Sequence, residues 1–352
     1  MADSQLPESN EREHQSNGAG FLVGIKQYIN ERRGLRLATN IFFRLFYGAL
    51  SILFIVFVTF VADEIAPGDA ATYLAGEKAT QAQVEQMRKE MGLDRPWPVR
   101  FGEYLVNLSK GDLGQSFGKT EEPVIDIIKR TLGMTSRIAV LAILLAAGIG
   151  LLLGTIAAIK ENKAPDRLAL GVSTLGVTLP NFVLAPVFVL IFAIWLDVLP
   201  GSWQPESRQV APQIYYLILP VLVMAARPLA TLTRLTRASL IDTLSQDFVR
   251  FGVAIGVPPF RLFVLHALRN AILPVITGIG TSFGYLLTGS FIVETFFSIP
   301  GIGAEAIRAI REVNGPVLMG CVIVTGTLFI LVNLVVDLFQ QLIDPRIRES
   351  QI

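Results

Sequence analysis

Two histidines, His14 and His266, and one cysteine, Cys321, are the only imidazoles and the only thiol in the 352-residue chain. A zinc-type site needs three or four such ligands held together, so no metal ligand is assigned. Cys321 lies in an apolar run, where a thiol packs inertly, and one cysteine excludes an internal disulfide. Neither histidine falls inside an apolar stretch, so an intramembrane hydrolase would lack a base for its nucleophile. GQSFGKT, Gly114 to Thr120, approaches a phosphate-binding loop, but that motif needs glycine where Leu113 stands. The expectation is therefore no catalytic residue and no cofactor held by this chain. What chemistry remains is polar side chains in apolar surroundings. Arg227, beside Pro228, would cost roughly 3 kcal/mol at a bilayer centre, so it should face a cavity, a partner or the interface. Snorkelling near the inner end is the alternative. Thr178, Asn181, Thr281 and Ser282, with Glu294 at a boundary, complete a set of candidate pore-lining positions, for which ordinary bundle packing is the competing explanation.

The elements that would position these groups are membrane spans. The chain is 52% apolar and 17% charged, with mean hydropathy +0.53, too apolar for an ordinary soluble protein of this length. Its net charge of +1 argues against a nucleic-acid partner. With roughly 20 apolar residues needed per crossing, six stretches qualify: Ile41 to Ala62, Ile138 to Ile159, Leu168 to Leu196, Gln209 to about Leu232, Asn270 to Val293, and Val313 to Val336. Arg32, Arg33, Arg36, Lys160, Lys163, Arg167, Arg234, Arg237, Arg346 and Arg348 flank alternate ends of these spans. The positive-inside bias then puts both termini in the cytoplasm, with Trp195, Trp203, Tyr215 and Tyr216 in an outer aromatic belt.

The first span follows a long polar stretch, contains Arg44 and lacks a small-residue cleavage site, so it reads as retained. The expected organisation is a polar extension over 1–39, the first span over 40–62, and an outer subdomain over 63–135. A core of five spans over 136–343, containing an inner segment over 239–270, and a tail over 344–352 complete it. In the extension, Phe21, Leu22, Ile25, Tyr28 and Ile29 recur at helical spacing, which allows an interfacial helix or a plain linker.

Pro180 and Pro186 interrupt the third span and Pro274 the head of the fifth, and such breaks need neighbouring helices or a wet cavity to satisfy the freed backbone. Gly150 with Gly154, and Gly280 with Gly284, permit close helix contact. In the outer segment, Thr80 and Gln83 predict a capping box, and Gly92 the end of the helix it opens. In the inner segment, Leu240, Leu244, Phe248, Phe251 and Ile255 predict one amphipathic helix stopping at Gly256. Pro258 and Pro259 would start a second.

This inner segment closely resembles that of the permease subunits of bacterial ABC importers of the dipeptide, oligopeptide and nickel class. That family places a glycine in a cytoplasmic loop and a proline eighteen residues later, with a His-x-Leu-Arg-Asn-Ala stretch between. Gly256, Pro274 and His266, Leu268, Arg269, Asn270, Ala271 match. The likeness runs from about residue 40 to the end through APGD at Ala66, GLDRPWPVRF at Gly92, GDLGQS at Gly111 and TLPNF at Thr178. It continues through RLTRASL at Arg234, VETFFSIPGIG at Val293 and DPRIR at Asp344. Where the family usually carries basic residues before the motif glycine, Val253 and Ile255 stand here.

The resemblance implies an all-α membrane protein with the six-helix fold of type I importer permeases, in the bacterial inner membrane. It implies a second, paralogous permease, two cytoplasmic ATP-binding subunits that hold ATP and magnesium, and an extracytoplasmic substrate-binding protein. Asp247, Arg250, Gly252, Gly256, His266, Arg269, Asn270 and Pro274 would then couple this chain to the ATPase. Short peptides are the first cargo it suggests; nickel chelates, glutathione-like peptides and oligosaccharides are the others. A secondary transporter would instead show intramembrane acidic or histidine relays, and only Arg227, Asp197 and Glu294 approach that.

Overall fold

The computed structural model describes residues 39, 41–65, 70–76, 78–117, 121–204 and 213–343. The expected N-terminal interfacial helix, the APGD and DPRIR motifs and the tail fall outside them. Every named element among them is helical, and the one extended pairing is an isolated bridge between Gln115 and Pro123.

Apolar runs long enough to cross a bilayer form α1 (Ile41–Ile65), α5 (Val124–Ile159), α8 (Gln213–Leu244) and α14 (Gly315–Ile343). A fifth run, Pro259–Thr288, joins α10 (Pro259–Arg261), a π-helical turn over Leu262–Leu268 and α11 (Arg269–Gly289). Shorter helices fill the connections: α2 (Ala70–Ala75), α3 (Gln81–Glu90), α4 (Trp97–Ser109), α9 (Asp247–Ala254), α12 (Phe291–Phe296) and α13 (Ile302–Arg311).

The third span is not one rod. α6 (Ala164–Thr178) meets α7 (Asn181–Phe188), extended by a π-helical stretch to Trp195, at a bend of 109°. Proline explains it: Pro180 holds Leu179 in an extended conformation, with ψ 122°, and offers no amide to continue α6. Three other expectations are corrected. α5 begins at Val124, twelve residues into the expected outer subdomain, because Thr131, Thr135 and Arg137 interrupt the apolar pattern without interrupting the helix. The amphipathic helix expected to run unbroken to Gly256 divides, since α8 continues to Leu244 and Gln246, at ψ 152°, turns the chain into α9. The proline-led helix is likewise no separate piece, but runs on into the fifth span and ends at Gly289 rather than Val293.

The chain divides into two units at Leu53. In the first, the start of α1 exposes Phe42, Phe43, Phe46 and Tyr47, whose rings contact one another at one-residue and four-residue spacing. In the second, α4 lays Phe101 against Phe57 and Phe60 of α1, beside an ion pair of Arg100 with Glu64. The capping box at Thr80 is present, and Gly92, at φ +66°, ends α3 with its amide on Lys89.

The core of this unit lies where α5, α8 and α11 meet, around Ile138, Leu219, Val223, Met224, Leu232 and Val275. Small residues allow the approach: a Cβ on Gly154 would stand 2.6 Å from the Thr233 carbonyl, and one on Gly280 would stand 2.2 Å from Val336. α6 is tied to α8 by Asp166, 2% exposed, which accepts from the Arg237 guanidinium and, at 2.8 Å, from the Asn162 amide. Asp166→Ala strands that guanidinium in a mostly buried site. We expect a loss of about 3 kcal/mol, seen as a lower thermal denaturation midpoint of the purified chain. An unchanged midpoint would count against the pair.

Candidate functional site

At the end of the molecule where α8 stops, the chain builds a rigid corner. Asp247 opens α9, and Gly256, at φ +79°, closes it with two hydrogen bonds. The Gly256 amide donates to Val253 and the Val257 amide to Gly252, both at 3.0 Å, which is the Schellman arrangement of a left-handed glycine cap. Gly252 is buried so close to the start of the next helix that a Cβ there would stand 2.6 Å from Leu262. Pro258 and Pro259 then begin the fifth span, and the Leu262 amide donates to Pro258 at 2.9 Å. α9 thus sits between two crossing helices with no slack at either end.

Its outward surface is apolar. Phe251 is 65% exposed and Phe260 79%, and Phe248, Val253 and Ile255 are exposed around them. Asp247 and Arg250 are exposed in a loose pair at 3.7 Å, an interaction worth little in water. Exposed apolar patches of this kind mark interaction surfaces on many proteins. The eight expected coupling residues do not gather there. Asp247, Arg250, Gly252 and Gly256 form the corner, while His266, Arg269, Asn270 and Pro274 lie exposed along the helix that leads away from it. Pro274 leaves the Asn270 carbonyl without its usual helical partner.

A second surface runs along α8 and α11. Arg227, Thr231 and Arg234 are exposed at successive turns of α8, and Thr281 and Tyr285 at successive turns of α11. Arg227 donates to the Tyr285 hydroxyl at 3.2 Å, with its guanidinium carbon 5.2 Å from the ring centroid. Thr231 and Thr281 return their hydroxyls to backbone carbonyls of the preceding turn, and Ser282 is half-buried. Thr178 and Asn181 flank the bend of the third span. A Cβ on nearby Gly176 would lie 2.9 Å from the Ala226 carbonyl, so the bend stands level with Arg227.

Glu294, expected among the pore-lining positions, is instead fully buried. One oxygen accepts from Thr135 at 2.6 Å and Ser290 at 2.7 Å; the other accepts from the Gly303 and Ala304 amides at 2.8 and 3.1 Å. The carboxyl group therefore satisfies the first amides of α13, where the helix dipole favours it. Below it opens a cleft of about 580 Å³ lined by Tyr73, Ser298, Glu305 and Arg308. The hydrogen bond and negative charge of Glu305 raise the pKa of the Arg308 guanidinium against the opposing effect of burial, which keeps it protonated. Sequence reasoning also missed Asn314, 5% exposed, whose side chain holds Ser116 and Phe117 at the end of the GDLGQS motif. A lone polar residue between Val313 and Gly315, ahead of a long apolar run, was the available signal.

Apolar helices of spanning length, a polar face along two of them and an exposed apolar corner at one end fit a membrane-embedded transport subunit. Residues 150–349 match the family model described as binding-protein-dependent transport system inner membrane component, and residues 38–146 match its N-terminal companion. The chain belongs to this family and is a multi-pass membrane protein. It is 35% identical, over 85% of its length and 94% of the relative's, to the dipeptide transport system permease protein of Bacillus subtilis. It is 36% identical, over 86% and 96%, to the glutathione transport system permease protein of Escherichia coli. A Sinorhizobium fredii protein named "probable peptide ABC transporter permease" is 36% identical over 82% and 92%.

Proposed function

We propose that this chain forms half of the pore of an ATP-driven importer of short peptides, opposite a second, paralogous permease. Two cytoplasmic ATP-binding subunits, which hold ATP and magnesium, would dock on the α9 corner, and an extracytoplasmic binding protein would deliver cargo at the other end. The observation that carries the reading is the corner itself: an exposed apolar helix fixed without slack to two spans turns movement of a docked partner into tilting of those spans. The relatives named for dipeptide and peptide transport support the cargo. The lysines and arginines near the α9 end, Lys160, Lys163, Arg167, Arg234 and Arg237, support its cytoplasmic placement, and with it cytoplasmic termini. Glutathione is the second reading, favoured by the relative named for it.

The test is reconstitution with the co-encoded subunits in liposomes. Dipeptide-loaded binding protein should stimulate ATP hydrolysis and drive uptake. Phe251→Asp puts a charge in the middle of the docking face and should lower capture of the ATP-binding subunits at least tenfold. Failure of any ATP-binding subunit to co-purify with the unaltered chain would overturn the reading.

A further inference from the structure

We propose that Arg227 and Tyr285 form a station partway across the bilayer that takes the carboxylate of passing cargo. The inference rests on the peptide-import reading and adds to it a residue pair and the chemical group recognised. Arg227 lies ten residues before Arg237, whose pairing with Asp166 marks one end of the bundle, and eleven after Tyr216, whose ring meets Trp203 at the other. At 1.5 Å per residue it is about 15 Å from either level. That is close to the middle of a hydrocarbon core of about 30 Å.

An arginine exposed at this depth costs roughly 3 kcal/mol against lipid, which favours a face that meets water or another protein. Its neighbours favour water: Thr231 precedes Arg234 on α8, Thr281 precedes Tyr285 on α11, and the bent third span brings Thr178 to the same level. Lipid-facing helices carry Leu, Ile and Phe in such positions, as the exposed Leu144 and Leu152 of α5 do.

The guanidinium is held but not neutralised. Tyr285 receives one of its five N–H donors and places an aromatic face beside it; among the described residues no carboxylate pairs with it. A planar fork fixed on one side and open on the other accepts a carboxylate through two parallel hydrogen bonds. The Tyr285 hydroxyl stands within reach as a further donor. A free peptide carries a carboxylate through this region at high cost, and a single fixed cation lowers that cost. One site of this strength still lets the cargo leave, as passage requires.

Uptake by the complete importer in ATP-loaded liposomes tests this, with binding protein saturated by either alanyl-alanine or its C-terminal amide. The unaltered importer should move the free acid at least tenfold faster per loaded binding protein. Arg227→Gln should slow the acid about tenfold and leave the amide within twofold, so that the preference collapses. Arg227→Lys should retain an intermediate preference, and Tyr285→Phe should lower acid uptake a few-fold. Should Arg227→Gln fail to assemble, the last two variants decide. A preference that survives in the assembled variants overturns the inference and assigns Arg227 to a contact with the second permease. No uptake of either peptide by the unaltered importer overturns the import reading itself, and this inference falls with it.

Discussion

Gly256→Pro should reduce cargo-stimulated ATP hydrolysis more than tenfold while the importer still assembles. Three consequences of proline act at one place. Gly256 sits at φ +79°, and proline is confined near −65°. Its amide, which donates to Val253 at 3.0 Å, is lost. Ile255, at φ −87° and ψ 5°, occupies a helical conformation that a following proline disfavours. Together these cost about 3 kcal/mol or more, enough to unwind the last turn of an eight-residue helix. α9 would stay anchored at Gln246 but lose its fixed angle to the fifth span, and push from a docked subunit would no longer reach that span. Gly256→Ala is the control. The space beyond Gly256 is open, so alanine suffers only left-handed strain of about 1–2 kcal/mol and should keep most of the stimulation. Stimulation of the proline variant at the unaltered level would show that the corner does not transmit force.

Much of this corner was legible in sequence, because glycine and proline speak for themselves. Gly256 predicts the end of one helix and Pro258 with Pro259 the start of the next, and both are found. The spans were equally plain, since apolar length alone defines five of them and, if the bent pair over 164–195 counts as one, a sixth. What sequence could not supply was where polar residues interrupt a helix and where they only ride on it. Thr131, Thr135 and Arg137 weaken the apolar pattern of α5, yet the helix runs through them from Val124. Ser245 and Gln246 look no more disruptive, yet the chain turns there. The difference is tertiary: Thr131 returns its hydroxyl to the Ile127 carbonyl inside the helix, and Thr135 is used by a residue 159 positions away. Two of the pore-lining candidates part for a reason of the same kind. Arg227 and Glu294 both stand in apolar company in the sequence, and only the fold shows that one faces outward and the other is enclosed.

That enclosure gives the second large expectation: Glu294→Ala should lower the stability of the purified chain by about 3–5 kcal/mol. The carboxyl group receives four hydrogen bonds, from Thr135, Ser290, Gly303 and Ala304; the Thr135 and Ser290 hydroxyls are buried away from water, and the two amides are part-buried. Thr135 also accepts from the Ile302 amide at 2.9 Å, so its hydroxyl joins Glu294 to the first residue of α13. Removing the side chain therefore unties α13 from α12, leaves the Thr135–Ile302 bond as its hydrogen-bonded tie to α5, and strips two buried hydroxyls of their acceptor, each at about 1–3 kcal/mol. Gln at this position keeps the volume and one acceptor oxygen, so Glu294→Gln should cost less than half as much. Gly301→Ala attacks the same cradle from outside, because its Cβ would stand 2.2 Å from the Glu294 carboxyl carbon. Thermal denaturation of the three variants in one detergent should rank alanine at 294 and alanine at 301 well below glutamine, and all three below the unaltered chain. Equal midpoints for Glu294→Ala and the unaltered chain would mean that α13 is held by its apolar contacts through Ile302 and Ala309 alone.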